Sequence, residues 1–235
     1  MSTITEDARF SRQSQLIAPR LRDANVLIGG VGMLGSFTAL ALARCTHEVI
    51  VFDPDVVEDV NTGNQAYNGS QVGVAKAEAL ESLAYGLPLS GKRSIFPIEE
   101  EPTALLQDAS RPLIVVSGAD SFRVRGDLAN YARHHGAEVF VDTRAMGELC
   151  IVCIVPQHLI PRYLDEEMRR DDEVPDVPCG YNGTSYCGMY VAARVTAGLN
   201  AYFGGRRVPF FRVEDLSTGD VLRCDYDEAT KEVRP

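Results

Sequence analysis

Val26-Leu27-Ile28-Gly29-Gly30-Val31-Gly32-Met33-Leu34-Gly35 is the stretch whose reading decides the fold. An apolar run leads into it, and a segment of small residues over 36–44 leads out. Gly30, Gly32 and Gly35 form a G-x-G-x-x-G between an expected strand and an expected helix. In that setting glycines let the backbone turn tightly and approach a phosphate. The helix N-terminus adds free N–H groups and the positive end of a dipole. The next apolar run, 48–52, ends at Asp53, where a carboxylate can accept hydrogen bonds from ribose hydroxyls. The chain therefore reads as a nucleotide binder. Taken alone, a glycine fingerprint of this kind most often holds a nicotinamide or flavin cofactor.

Working outward, the pattern predicts a helix over 11–21, a strand over 25–28, a helix over 36–44 and a strand over 48–52. The segment 53–73 is polar and rich in Asn and Gly. Helical spacing returns over 74–85. A short strand is expected over 93–98 and a short helix over 103–108. Leu113 to Ser117 is a continuous β-branched run, the signature of a strand buried on both faces. Ser121 can cap a helix that runs to about His135. Further strands are expected over 138–141 and 149–155. The acidic, proline-bearing segment 156–178 reads as a mobile or partner-binding loop. A helix over 186–203 and a hairpin of 210–215 with 221–225 close the chain. The order implies an α/β fold: a Rossmann-like, doubly wound, mainly parallel sheet with antiparallel strands at its C-terminal side.

Composition sets outer limits. A chain of 235 residues, 45% hydrophobic and 24% charged, has the make-up of a globular protein with a substantial core. Its net charge of −10 argues against nucleic acid as a partner. No apolar stretch reaches the length of a membrane span, and residues 1–12 carry no signal-peptide core, so a cytoplasmic, membrane-free setting is expected. In that setting Cys45, Cys150, Cys153, Cys179, Cys187 and Cys224 are expected as thiols, metal ligands or catalytic groups rather than disulfides.

Other motifs surround the glycine turn. Arg9-Phe10-Ser11-Arg12-Gln13 precedes the first strand, and Asp53-Pro54-Asp55 follows the second. Asn61-Thr62-Gly63-Asn64-Gln65 and Gly73-Val74-Ala75-Lys76 come next, and the buried run 113–117 ends in Gly118-Ala119-Asp120-Ser121. Singly, the aspartates read as ordinary strand-end residues, Lys76 as a solvated helix residue and Arg12 as a surface cation. Together, in this order and spacing, they resemble the adenylating domain of the ubiquitin-activating-enzyme-like superfamily, the ThiF/MoeB/HesA group. The resemblance is specific from Arg9 to about Ser121. It continues more weakly through a strand near Gly147, a loop with Cys179, a small-residue helix and a hairpin.

The resemblance implies one adenylation domain over 1–235. Its nucleotide-binding half would cover about 1–142, a crossover loop about 156–185, and a C-terminal helix and hairpin 186–235. It implies an ATP-dependent adenylyltransferase that joins the C-terminal carboxylate of a ubiquitin-like or sulfur-carrier protein, ending in Gly-Gly, to AMP. ATP and Mg²⁺ are the implied cofactors. Gly30, Gly32, Gly35, Asp53, Asp55 and Asn61 would bind the nucleotide, with Asp53 on the ribose. Lys76 and Arg12 would meet phosphate charge, Arg12 from the neighbouring subunit of a homodimer. Asp120 would hold Mg²⁺, whose preference is for oxygen ligands. Adenylation of a peptide or other carboxylate, a nucleotide-binding scaffold without catalysis, and a nicotinamide-dependent oxidoreductase are the competing readings.

One position departs from the family pattern: Asn64 stands where an arginine is usual. Weaker phosphate activation, compensation by Arg123 or Arg125, or altered chemistry would each account for it. No zinc site is expected. Cys150 and Cys153 form a C-x-x-C inside an apolar strand, where residues three apart face opposite sides, and zinc ligands need a turn between them. Cys179 sits in a Pro-Cys-Gly setting where relatives can form a thioester or persulfide; a bystander thiol is the alternative. Cys187, at a helix start among apolar neighbours, reads as packing.

Overall fold

Apolar runs without polar alternation become strands covered on both faces. In the computed structural model, which describes residues 9–166, 183–227 and 232–234, β1 (Asn25–Gly29), β2 (Glu48–Phe52) and β4 (Leu113–Ser117) are buried at every position. The other strands are β3 (Leu89–Lys92), β5 (Val139–Met146), β6 (Leu149–Pro156), β7 (Phe211–Asp215), β8 (Val221–Asp227) and β9 (Glu232–Arg234). One sheet runs in the order β3-β2-β1-β4-β5-β6-β7-β8-β9. From β3 to β5 every pairing is parallel. From β5 onward every pairing is antiparallel. This is the expected α/β architecture.

Alternation along the strands feeds two cores. Val26, Ile28, Val49, Val51, Ile114 and Val116 point to one side. There they meet α2 (Met33–Leu42), α3 (Lys76–Leu83) and α7 (Ser185–Phe203). Leu27, Ile50, Val115 and Phe140 point to the other side. There α5 (Phe122–His134) and α6 (Ile160–Glu166) cover them. Cys150 joins the first core and Cys153 the second, so the C-x-x-C thiols face away from each other as its strand setting implies. Among the described residues, no helix is long and apolar enough to cross a membrane.

Three expectations need correction. The helix over 11–21 is replaced by turns and the short α1 (Pro19–Arg22). Ala18 is extended there (ψ 131°), because a residue ahead of proline is pushed out of the helical region. The strand expected over 93–98 is β3, four residues earlier in its start. Gly91 lies so near the Ala77 carbonyl that a Cβ would fall 2.2 Å from it; a glycine in that register lets β3 tuck under α3. Ile95 and Ile98 are left exposed. Finally, the beginning of 156–178 is not a loop. Ile160 and Tyr163 are wholly buried on α6; the later part lies outside the described residues, as does Cys179. The expected short helix near 103–108 is α4 (Pro102–Leu105).

Candidate active site

The glycine turn is a place where three pieces of backbone touch. Gly30 adopts φ 86° and donates its N–H to the Phe52 carbonyl at 2.9 Å. A Cβ on Gly35 would lie 2.0 Å from the Gly30 oxygen, and one on Gly118 2.5 Å from the same atom. Only hydrogen fits at either position, so β1, the start of α2 and the end of β4 close on one another. Gly32 differs: a Cβ there would meet nothing within 4 Å. It is the N-cap of α2, and its side is open toward the unpaired N–H groups of the first turn. A helix N-terminus with open space beside it is an arrangement that can receive a phosphate.

Asp53 lies beside the turn, almost fully buried. Its Oδ2 accepts from the Val31 N–H at 2.8 Å and its Oδ1 from the Asp55 N–H at 2.9 Å. Burial pushes its pKa up, against the lowering effect of those two N–H donors and of Lys76. Tyr67 donates its O–H to the Val31 carbonyl at 2.8 Å, so the residue inside the turn is held from both ends. Tyr67 is buried, which raises its pKa. Asp53 therefore braces the turn whatever else it contacts.

Lys76 opens α3, because the Val56–Ala75 bridge holds Ala75 extended just before it. Its Nζ lies 3.0 Å from Asp55 Oδ2, with the lysine side chain 10% exposed and the aspartate 64%. Asn61 caps a 3₁₀ turn, Asp59–Gly63, by accepting the Glu58 N–H at 2.9 Å on Oδ1. Its amide NH₂ is the part that can donate to a phosphate. The following loop is tied to α2 by Ala66 N–H to Ser36 Oγ at 3.1 Å. Asn64 Oδ1 and Gln65 Oε1 are buried there without a hydrogen-bond partner.

Asp120 is exposed, two residues beyond the contact of Gly118 with Gly30. Ser121 caps α5 as expected, accepting the Val124 N–H at 3.4 Å. Arg125 is not a substitute for the arginine that Asn64 replaces. It is buried, and its Nη1 donates to Asp142 Oδ1 and, at 2.7 Å, to the Thr143 carbonyl. Arg123 is exposed. The structure thus gathers Gly30, Gly32, Gly35, Asp53, Asp55, Lys76 and Asp120 around the carboxyl ends of β1, β2 and β4, and Asn61 stands on the loop that follows β2.

Arg12 is elsewhere. Arg9 donates to the carbonyls of Ala43 and Thr46 and Gln13 to that of Arg44, all past the C-terminal end of α2. Helix α2, ten residues and about 15 Å long, lies between the glycine turn and the carbonyls that Arg9 and Gln13 reach, and Arg12 between them in sequence is exposed. Cys187 is buried, in contact with Thr184 Oγ1 at 3.3 Å and donating to the Gly147 carbonyl at 3.4 Å. It packs, as its apolar setting suggests.

Residues that sequence reasoning passed over are Asp142, Thr143, Arg144 and Tyr163. Asp142 is wholly buried and accepts from Arg144 Nε at 2.6 Å and Tyr163 O–H at 2.8 Å, besides Arg125. Burial raises its pKa, but the charges of Arg125 and Arg144 outweigh this and hold it below the usual carboxylate range. A charged Asp-Thr-Arg inside the apolar run 139–146 was the available signal.

Comparison with known proteins adds three findings. The model of the ThiF family matches residues 7–202. Ubiquitin-like modifier-activating enzyme 5 of Drosophila persimilis is 44% identical over 61 residues, 26% of this chain and 16% of that protein. The uncharacterized protein y4oA of Sinorhizobium fredii is 30% identical over 140 residues, 51% of this chain and 23% of its own. The matched stretches are thus under a quarter of the length of these relatives. Among solved structures, PaaA superposes with a TM-score of 0.68 at 18% identity, over 94% of this chain and 75% of its own. MccB of E. coli, solved with ATP, gives 0.67 at 16% identity, over 92% and 70%. At such identities the likeness is one of fold.

Proposed function

The chain belongs to the ThiF family, and from that premise we propose that it is an ATP-dependent adenylyltransferase acting on a carboxylate. A substrate carboxylate oxygen attacks the α-phosphorus of ATP, the bond to the β-phosphate bridging oxygen breaks, and pyrophosphate leaves with that electron pair. The product is an acyl-adenylate. Such a reaction asks a protein mainly for positioning and for cancellation of phosphate charge. The observation that carries the reading is the cradle: Gly30, Gly35 and Gly118 in backbone contact, Gly32 open at a helix N-terminus, and the Lys76 ammonium beside it.

Each residue has a part. Gly32 and the first N–H groups of α2 receive phosphate oxygens. Lys76, a cation at the positive end of a helix dipole, is locally disfavoured there; Asp55 holds it, and phosphate takes its place. Asn61 donates its amide to phosphate, and Asn64 supplies a neutral donor where relatives carry a charge. Asp53 braces the turn and reaches the ribose. Mg²⁺, when bound, would neutralise phosphate charge, and the exposed Asp120 carboxylate is the oxygen donor that suits it. Arg12 acts in the site of a partner protomer, a homodimer in which the far end of one α2 meets the cradle of the other.

The substrate we favour is the C-terminal carboxylate of a ubiquitin-like or sulfur-carrier protein ending in Gly-Gly. Support comes from the Drosophila match and from the ordered motifs. A peptide carboxylate is the second reading, supported by the likeness to MccB solved with AMPCPP and MccA, TM-score 0.66. Thioester formation at Cys179 after adenylation belongs to the first reading. In this view residues 1–235 form a single adenylation domain. The test is ATP–pyrophosphate exchange with each candidate substrate, repeated with Asp120→Ala. Substrate-dependent exchange that the substitution abolishes is expected. ATP binding without exchange would favour a scaffold, and tight NAD binding without ATP binding an oxidoreductase.

A further inference from the structure

Side chains from three elements converge on a carboxylate that the chemistry above leaves unused. Asp142 of β5 is enclosed on every side. Tyr163 of α6 and Arg144 of β5 both donate to its Oδ2, at 2.8 and 2.6 Å, and Arg125 of α5 donates to Oδ1. The guanidiniums of Arg125 and Arg144 both face the ring of Phe122, at 5.7 and 5.1 Å from its centroid. Phe122 follows Asp120 by two residues. On the other side of Asp120, Thr143 Oγ1 donates to the Ser117 carbonyl at 2.8 Å, just before Gly118 packs on Gly30.

The loop 118–121 is therefore pinned at both ends, and both pins lead to the Asp142-Thr143 pair of β5. We propose that Tyr163 and Asp142 are positioning residues for the Asp120 carboxylate, transmitting the placement of helix α6 to the loop that carries it. The role given to Asp120 rests on the adenylation reading; the coupling of α6 to the loop does not. An exposed carboxylate has no packing of its own to set its direction, so its loop must be held by neighbours whose rotamers are locked. Asp142 is such a neighbour, and Tyr163 is the member of the group that arrives from outside the β4–α5–β5 unit.

Tyr163→Phe removes one O–H and keeps the ring that packs edge-on against Phe140 at 5.2 Å. Amide hydrogen exchange of the protein without ligand is the first measurement. Exchange at least threefold faster over 118–124 as well as over Ile160–Glu166, with Gly29 to Ser36 unchanged, is expected. Faster exchange in α6 alone overturns the coupling. Asp142→Asn should show the same pattern more strongly; where it does not fold, Tyr163→Phe decides. The second measurement is ATP affinity by calorimetry in Mg²⁺ and in EDTA. Tyr163→Phe should lower the metal-dependent gain in affinity at least threefold and leave the affinity in EDTA unchanged. A full gain in the variant overturns the proposal. A gain that survives Asp120→Asn overturns the role of Asp120, and the exchange result still judges the coupling by itself.

Discussion

Lys76 Nζ and Asp55 Oδ2 stand 3.0 Å apart at the start of α3, a buried cation held by an exposed anion. The pair is unequal: removing the aspartate takes away the solvated partner and leaves the lysine facing Asp53 and, in the adenylation reading, phosphate. Exposed ion pairs are worth about 0.2–1 kcal/mol. Asp55→Asn is thus expected to leave Tm nearly unchanged and to tighten ATP binding by up to about fivefold. Lys76→Ala removes a charge-assisted contact worth about 1.5–3 kcal/mol and should weaken ATP binding tenfold or more. Calorimetric titration of both variants with ATP checks the pair; weaker binding by Asp55→Asn would mean that the carboxylate itself serves the nucleotide.

The glycines of the turn should separate by variant. Gly35→Ala places a methyl 2.0 Å from the Gly30 oxygen, an overlap that must move backbone at a cost of about 1–3 kcal/mol or more. In a chain of this size that lowers Tm by roughly 2–4 °C per kcal/mol. Gly32→Ala, with open space around it, should keep Tm and lose ATP affinity instead. Thermal melts with and without ATP distinguish the two, and a Gly32→Ala protein that melts early without ligand contradicts the assignment.

Acid stability should report Asp142. Its folded pKa is depressed: burial opposes ionisation, and the guanidiniums of Arg125 and Arg144 more than reverse that. A depressed carboxylate contributes stability that is fully present above its unfolded pKa, about 3.9, and is lost as pH falls through the folded value. Wild-type stability is expected to be insensitive to this group from pH 5 to 8 and to fall below about pH 4. Asp142→Asn breaks a buried pair, a loss of about 3–5 kcal/mol at neutral pH. It should also lack the acid-side fall due to this group. Denaturant melts across pH 3–7 measure both.

Cysteine reactivity should follow burial. Burial, with the nearby Cys187, pushes the Cys150 thiol up to about 12. At pH 8 its thiolate fraction is then about one in 10⁴. Iodoacetamide labelling of the native protein at pH 8, read by mass spectrometry, should leave Cys150 unmodified for as long as the fold lasts. Rapid labelling there would show a site that opens readily.

Mixing experiments address Arg12. If it serves the other protomer's site, Arg12→Ala and Asp120→Ala proteins, each inactive, should regain activity when combined. Random pairing gives one intact site in half of the dimers, about a quarter of the wild-type rate. No recovery in a mixture shown to exchange subunits would place Arg12 outside the reaction.

The sheet was legible in the sequence because its signal is strong and local. Val49-Ile50-Val51 and Ile114-Val115-Val116 admit only a strand covered on both faces, and the structure has them at the expected positions. The glycine turn was legible for a related reason: Gly30 and Gly35 are needed where backbone touches backbone, whereas the close approach of Gly118 to Gly30 joins residues 88 positions apart and no local pattern announces it. β3 was misplaced because Leu89-Ser90-Gly91-Lys92 carries one apolar residue, and its place is set by pairing with distant β2 and by the close approach of Gly91 to Ala77. Asp142 was passed over because its partners, Arg125 and Tyr163, come from α5 and α6, and no spacing in the sequence announces that they meet.

Strand β5 is where the sheet changes direction: its edge toward β4 is parallel and its edge toward β6 antiparallel. Between Met146 and Leu149 the chain reverses through Gly147, at φ 61°, and Glu148. The strands after that reversal extend a sheet already complete in its parallel part, while α6 and α7 fold back to cover it. The seam gives the fold a natural joint for modular change. A chimera that exchanges only the β7–β8 hairpin for that of a relative would keep α6 and α7, and with them the packing behind the glycine cradle.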